Sequence, residues 1–154
     1  MTDVLTGAVG AFGGTMGFCY LLAAPTRTIL PASVNGVIGF MTYVILYRYM
    51  GLNIMFSYFA ATVVVTVICE MLARAMRLPS TVFLLTSLVP LVPGYNFYRA
   101  MLALVEDDGM LAASQLLVAM KIVAAIAVGA AVTSVLFRML AQRKRRAGRS
   151  GGMQ

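Results

Sequence analysis

Residues 81–105 read TVFLLTSLVPLVPGYNFYRAMLALV, an apolar stretch of 25 residues that is long enough to cross a lipid bilayer as one helix. The segment Pro90-Leu91-Val92-Pro93-Gly94 interrupts this stretch near its middle. One proline often only kinks a membrane helix, but Pro90, Pro93 and Gly94 together free several backbone groups and predict a break. At about 1.5 Å per residue, the two halves are roughly 13 Å and 16 Å long, which places the break near mid-membrane.

The whole chain has the composition of a membrane protein. Of its 154 residues, 61% are hydrophobic and 11% are charged, whereas soluble domains contain roughly 25% charged residues. Four further apolar stretches are long enough to span a membrane, with predicted bounds of 4–24, 29–47, 54–72 and 111–137. We therefore predict an all-α integral membrane protein, a bundle of five transmembrane helices with the fourth helix broken at Pro90–Gly94.

Positive charge is concentrated at the end of the chain, where six of the twelve Lys and Arg residues lie within 138–149. If this segment is cytoplasmic, Arg27 and the 74–77 link are cytoplasmic as well, which agrees with the positive-inside rule. We predict a multi-pass protein of the bacterial cytoplasmic (inner) membrane, with its N-terminus out and its C-terminus in. Residues 1–140 would form the transmembrane domain, and 141–154 a disordered basic tail that meets anionic lipid headgroups rather than nucleic acid.

The second half of the broken helix carries the main candidates for substrate binding. It begins near Gly94, Tyr95 and Asn96, and the N-terminal end of a half-helix attracts anionic groups. Arg99 follows one turn later, where a charge in the membrane core costs at least ~2.5–3.5 kcal/mol and needs a partner or a function. Arg99 either snorkels to the outer surface, pairs with Glu106, or grips a substrate carboxylate with its guanidinium.

Three more polar residues inside predicted spans are candidates. The depth of Lys121 in the membrane depends on where the span begins: it is deep if the span starts at Leu111, and close to the outer edge if about 20 residues are counted back from the helix end. Small or polar residues share its helix face, which favours a position lining the transport path. Glu70 either forms an interfacial ion pair with Arg74 or is a carboxylate that couples transport to protons. Asn35, beside glycines of the second helix, is a further candidate for lining the path.

Glycines recur along the first helix at spacings of three and four residues: Gly7, Gly10, Gly13, Gly14 and Gly17. Such a smooth face lets the backbone of another helix approach closely. Plain helix packing is one interpretation, and a sliding surface or the lining of a path is the other.

No catalytic site is indicated by the sequence. The chain has no histidine, which removes the commonest metal ligand and general base. Cys19 and Cys69 lie in apolar stretches, where we expect small buried side chains rather than a disulfide or a metal site. A phosphate-binding glycine loop is also missing. We therefore expect no enzyme activity, no cofactor and no metal, so transport would draw on a gradient or on another subunit.

The chain resembles the membrane half of the threonine/serine exporter family, in its small, separately encoded form. The likeness runs over roughly 21–137 and is carried mainly by the 90–94 segment with Tyr98-Arg99 behind it. Weaker features support it: Pro25, Arg27, Ala32, Gly36, Gly39, Tyr43, Glu70, Ala73-Arg74, Pro79 and Val82-Phe83. The resemblance implies proton-driven export of small amino acids such as threonine and serine, or of dicarboxylates. It also implies a second membrane half, which fused relatives carry in the same chain and split relatives obtain from a separate protein.

These observations predict one half of a secondary exporter for a small carboxylate-bearing metabolite, embedded in the lipid bilayer. Its partner would be a second multi-span membrane subunit, a further copy of the chain, or both, with no nucleic acid involved. Joining two five-helix halves in one chain would give an inverted repeat. A non-transporting scaffold subunit and a passive channel are the alternatives.

Overall fold

The computed structural model describes the backbone of residues 2–150 and the side chains of residues 4–139. The regular structure in this part of the chain is helical, and four helices are long and apolar enough to cross a membrane, or five if a bent pair forms one crossing. The helices are α1 (Thr2–Leu21), α2 (Thr26–Val44), a π-helical turn (Ile45–Tyr49), α3 (Ile54–Met76), α4 (Ser80–Ser87), a 3-10 turn (Val89–Leu91), α5 (Gly94–Val105) and α6 (Gly109–Ser150). The predicted all-α membrane architecture is confirmed.

The predicted break in the fourth crossing is also confirmed. The segments Ser80–Leu91 and Gly94–Val105 meet at an angle of 53°. Val92 between them is extended, with φ −63° and ψ 131°, and Pro93 has no N–H that could continue a helical ladder. The Gly94 N–H donates to the Val92 carbonyl over 2.7 Å, so the chain turns sharply here and then begins α5.

Helix ends depart from the predicted bounds because of local capping. Pro25 directly precedes α2, and the Thr28 hydroxyl donates to its carbonyl over 2.7 Å, so α2 begins three residues before the predicted start. Arg77 adopts a left-handed conformation with φ 54°, and its N–H donates to the Ala73 carbonyl. This C-cap lets α3 run four residues past its predicted end.

The core of the bundle surrounds α3, which packs on α2, α4 and α6. Val65, Cys69, Phe83 and Leu91 are fully buried there. Helix α1 packs on α2, on α4 and on the 3-10 turn of the break. Helices α1 to α4 and the break thus form one packed unit, which is referred to below as the body.

Within the described residues, α5 packs extensively only on α6. Alanines form the contact, since the buried residues of the two facing stretches are Ala100, Ala103, Ala112 and Ala119. The hairpin of residues 94–119 is referred to below as the arm. It is joined to the body through the break at one end and through the α3–α6 contact at the other.

Helix α6 is described as far as Ser150 and therefore enters the segment 141–154 that was predicted as a basic tail. Residues 151–154 lie outside the described residues. The predicted disorder of this tail stays a prediction.

Candidate functional site

The break rests on two glycines of α2. A Cβ atom at Gly36 would overlap Thr15 Oγ1 of α1 and lie 3.3 Å from Pro90 Cγ. A Cβ atom at Gly39 would overlap a methyl group of Val65 and lie 3.5 Å from Leu91 Cδ1. The two glycines therefore let α1, α3 and the break approach the backbone of α2 together.

This packing places the break at mid-height in the body. Leu91 and Val65 both border Gly39, and Val65 is the twelfth of the 23 residues of α3. Because α3 alone is long enough to cross the membrane, the irregular backbone after Leu91 lies near the middle of a span. Such backbone is tolerated at this depth where protein buries it or where it lines a wet cavity.

A buried polar cluster lies immediately next to the break. Asn35 of α2 is 1% exposed, and its Nδ2 donates to the Val65 carbonyl over 3.2 Å and to Cys69 Sγ over 3.1 Å. The hydroxyl of Ser87, in the last turn of α4, donates to the Ala32 carbonyl over 3.2 Å. These bonds fasten the end of α4 to α2, and α2 to α3.

The amide of Asn35 is only half satisfied. Among the described side chains, its Oδ1 is the buried polar atom without a hydrogen-bond partner. Rotating the amide would not help, because Oδ1 would then face the Val65 carbonyl oxygen. An unpaired buried acceptor costs about 1–3 kcal/mol. An atom of this kind is a candidate for receiving a donor from a water molecule or a ligand.

Most other buried hydroxyl groups are satisfied within their own helix. Thr15, Ser33, Thr62, Thr66 and Thr133 each donate to the carbonyl four residues earlier. They therefore do not leave a continuous chain of free polar groups through the bundle. Asn35 is distinguished from them by bonds that join different helices.

Asn96 lies in the first turn of α5. The N-cap residue of this helix is Pro93, which makes no side-chain capping bond. The Asn96 Nδ2 donates to Gln115 Oε1 of α6 over 3.1 Å. Asn96 therefore holds the arm together, while the first N–H groups of α5 remain without a side-chain acceptor.

Arg99 lies on the outer face of the arm. Its Nη1 donates to Tyr95 Oη over 3.2 Å, and the guanidinium lies 6.0 Å from the centre of the Tyr95 ring. Tyr95 and Tyr98 are about two-thirds exposed, at 67% and 64%. Of the three alternatives for Arg99, the pairing with Glu106 does not form among the described side chains; the guanidinium contacts Tyr95 and faces out of the chain among exposed aromatic groups.

Glu70 is half-buried on α3. The predicted ion pair with Arg74 does not form among the described side chains. The Arg74 guanidinium instead donates to the Phe137 carbonyl over 3.2 Å and lies 5.0 Å from the centre of the Phe137 ring. Arg74 thereby joins α3 to α6 and leaves the Glu70 carboxylate without that cation.

Lys121 is exposed on α6, although three residues predicted to share its face, Ala125, Gly129 and Thr133, are buried. The structure brings Asn35 together with Pro90 and its neighbours, and it separates this group from Arg99 and Lys121.

Two features of the site were not predicted from the sequence: the hydrogen bond of Ser87, and the packing of the break on Gly36 and Gly39. The spacing of these two glycines by three residues was the signal that could have indicated the packing.

Several spanning helices around a helix broken at mid-height define a multi-pass membrane protein of the kind that builds transport sites at discontinuous helices. The sequence model of the family described as Threonine/Serine exporter, ThrE, matches residues 7–136. The chain therefore belongs to the threonine/serine exporter family, as its resemblance indicated, and membership implies export of amino acids. Comparisons with curated proteins and with solved structures gave no match.

Proposed function

We propose that this chain is one half of a secondary exporter for small carboxylate-bearing metabolites, either amino acids of the threonine/serine type or dicarboxylates. It is coupled to protons, works with a second multi-span membrane subunit, and resides in the bacterial inner membrane with its N-terminus out. The observation that carries this proposal is the helix break beside the midpoint of α3. Discontinuous helices of this kind surround the substrate sites of many secondary transporters.

The break supplies a place where the arm can move against the body. The Ser87 hydroxyl fastens α4 to α2, whereas within the part of the chain that the structure describes α5 packs extensively only on α6. Between them, Val92 and Pro93 lie outside both helices. A change of backbone angles at these residues would swing the arm and open the path on one side of the break, as hinge residues do in other proteins.

In this proposal Arg99 and Tyr95 bind the substrate carboxylate, together with the Tyr95 and Asn96 N–H groups of the first turn of α5, since the Gly94 N–H is already bonded to the Val92 carbonyl. A guanidinium grips a carboxylate through two parallel hydrogen bonds. Because Arg99 and Tyr95 are exposed on this chain, the second subunit or a second copy would complete the site.

The path then continues past the break to Asn35, whose unpaired Oδ1 would accept a hydrogen bond from the ammonium or hydroxyl group of the substrate. Glu70, one residue from Cys69 on α3, would carry the coupling proton. Lys121 is not included in this path, because it lies on the opposite side of α6 from α5.

Replacing Arg99 with Gln tests the carboxylate site. We expect efflux from cells loaded with threonine or succinate to fall at least about tenfold, since a hydrogen bond to a charged group contributes about 1.5–3 kcal/mol. Arg99→Lys should recover part of the activity, because it restores the charge without the two-pronged geometry. Arg138→Gln, an exposed arginine at the other end of α6, serves as the matched control. Unchanged efflux by Arg99→Gln at a normal protein level would remove Arg99 from the site.

A scaffold subunit without transport activity is the second candidate, and one observation favours it. A Cβ atom at Gly10, Gly13, Gly14 or Gly17 would meet nothing within 4 Å, so this face of α1 is free to pack against another membrane protein. Liposomes that contain the chain and its partner separate the possibilities. A proton-coupled carrier moves solute in response to an imposed proton gradient, a channel moves it without that response, and a scaffold moves none.

A further inference from the structure

An open groove runs along the outer surface between α3 and α6. Its volume is about 410 Å³, and its lining is mostly apolar, with Phe56 and Phe59 from α3 and Ala124 and Val128 from α6. Asn53 borders the groove as well. The groove lies on a different side of α6 from the arm contacts, and the transport proposal above makes no use of it.

Lys121 belongs to the helix face that forms this groove. At about 100° per residue, Lys121 is within about 60° of Ala124, Ala125 and Val128, and about 180° from Ala112, which packs on α5. The side chain is exposed. Within residues 4–139, no acidic side chain forms an ion pair with Lys121, so its positive charge is available to a ligand beside the groove.

The height of Lys121 follows from the packing of α3 on α6. A Cβ atom at Gly129 would lie 3.1 Å from the Phe59 carbonyl oxygen, so these two residues are level. Arg74 bonds to Phe137 further along both helices, so the two helices run in the same direction. Along α6, Lys121 lies about 12 Å from Gly129 toward the N-terminal end of the helix. Along α3, Asn53 lies about 9 Å from Phe59 in the same direction. Lys121 and Asn53 are therefore at nearly the same height.

Asn53 marks the end of the α3 span. Its Oδ1 accepts a hydrogen bond from the Met55 N–H over 3.1 Å and so caps the helix. The groove occupies the first two turns below this cap, and Lys121 lies level with the cap. Because the 23 residues of α3 extend about 34 Å, slightly more than a hydrocarbon core of about 30 Å, we place the cap at the level of the headgroups. Helix α3 also directs its positive N-terminal end toward this level.

We propose that the groove holds an acyl chain of an anionic phospholipid whose headgroup pairs with Lys121. The location and the charge both indicate this occupant. An apolar groove that opens into the bilayer is filled by the surrounding hydrocarbon chains. A cation at the headgroup end of the groove then favours a negatively charged phospholipid. The proposal is independent of the transport site, and its test requires no transport measurement.

The test uses the purified full chain in detergent and two probes with identical acyl chains, phosphatidylglycerol and phosphatidylcholine. Bound lipid is counted by native mass spectrometry. We expect the chain to retain phosphatidylglycerol about fivefold more strongly than phosphatidylcholine, the factor that corresponds to one cation near a membrane surface. Lys121→Gln should reduce this preference, whereas Arg138→Gln, which removes one charge from the same helix, should change it less, because the basic segment 141–154 attracts anionic headgroups equally in both variants.

A second pair of variants tests the groove itself. Ala124→Phe fills the groove and should reduce retention of both lipids, while Ala127→Phe, at an exposed alanine outside the lining, should reduce neither. Equal retention of the two lipids by the unaltered chain would overturn the proposal, as would equal effects of Lys121→Gln and Arg138→Gln. If Ala124→Phe changes the oligomeric state and leaves lipid retention unchanged, a protein helix occupies the groove and the lipid proposal is wrong.

Discussion

Asn35 joins two helices and leaves one polar atom unpaired. Its Nδ2 links α2 to α3 through Val65 and Cys69, while its Oδ1 has no partner among the described side chains. A purely structural role would not require this arrangement, because an apolar side chain of the same size can fill such a site at little cost. This is why the proposed transport path gives the unpaired Oδ1 a donor from the substrate.

Replacing Asn35 with Leu separates these roles. We expect the melting temperature in detergent to stay unchanged or to rise, because the loss of two hydrogen bonds is offset by removal of the unpaired acceptor. Export should fall at least about tenfold if the acceptor contributes one hydrogen bond of about 1.4 kcal/mol to the moving substrate. Thr133→Val, which also removes a buried polar group but lies on α6, should export normally. Strong destabilisation of Asn35→Leu would instead assign the residue a structural role.

Gly39 lets the break pack closely on the backbone of α2, because glycine has no side chain. Gly39→Ala would place a methyl group against Val65 and near Leu91, and overpacking of this kind typically costs about 1–3 kcal/mol. We expect a lower melting temperature in detergent. Gly13→Ala is the matched control, since its methyl group would meet nothing within 4 Å and alanine favours the helix. A smaller loss for Gly39→Ala than for Gly13→Ala would contradict the packing described here.

Among the elements, the arm combines close alanine packing with a single polar bond between helices. Ala100 and Ala103 of α5 are buried, and Asn96 bonds to Gln115 of α6. The alanines provide a short distance between the helix axes, and the amide pair fixes how far one helix is shifted along the other. This shift decides the height at which Arg99 lies on the surface of the arm.

A double-mutant cycle measures that amide pair. The variants Asn96→Ala, Gln115→Ala and the double variant should show a coupling of about 0.6 kcal/mol in unfolding experiments in detergent, the average for hydrogen bonds between membrane helices. Combining Asn96→Ala with Thr133→Ala should give additive effects, because the two sites are distant and share no contact. Additivity within the Asn96 and Gln115 cycle would show that the bond does not stabilise the arm.

At the scale of the whole molecule, the apolar part of α6 is longer than a membrane is thick. Its span Gly109–Met139 contains 31 residues, or about 46 Å, against a hydrocarbon core of about 30 Å. The helix therefore tilts or extends beyond the hydrocarbon. Much of the arm is apolar and exposed, as with Met101, Val105 and Met110, so lipid or a partner subunit must cover it.

The topology of the chain depends on whether the bent pair crosses the membrane once. If it does, the five crossings put the two ends of α6 on opposite sides, with the turn before Gly109 outside. Reporter fusions after Asp108 and after Gln154 should then report an external and a cytoplasmic location, respectively. Two reporters on the same side would contradict five crossings and would indicate that α4 and α5 re-enter the side from which they came.

The sequence by itself determined that the chain lies in a lipid bilayer, that it is helical, and where one helix is broken. Apolar stretches of membrane-spanning length can only be helices in lipid, because their backbone groups have no water to bond. Pro90, Pro93 and Gly94 act on their own backbone, so their effect could also be predicted from their order in the chain. The ends of α2 and α3 were missed by a few residues, since caps at Pro25 and Arg77 decide them.

Only the tertiary structure decided which polar groups face each other. The depth of Arg99 or Lys121 along a helix can be counted from the sequence, but the direction each side chain faces depends on how the helices cross and rotate. That rotation is set by contacts between residues far apart in the chain, such as Gly39 with Leu91 and Asn96 with Gln115. It placed Arg99 on the outer face of the arm, left Lys121 exposed on α6, and put Asn35 beside the break.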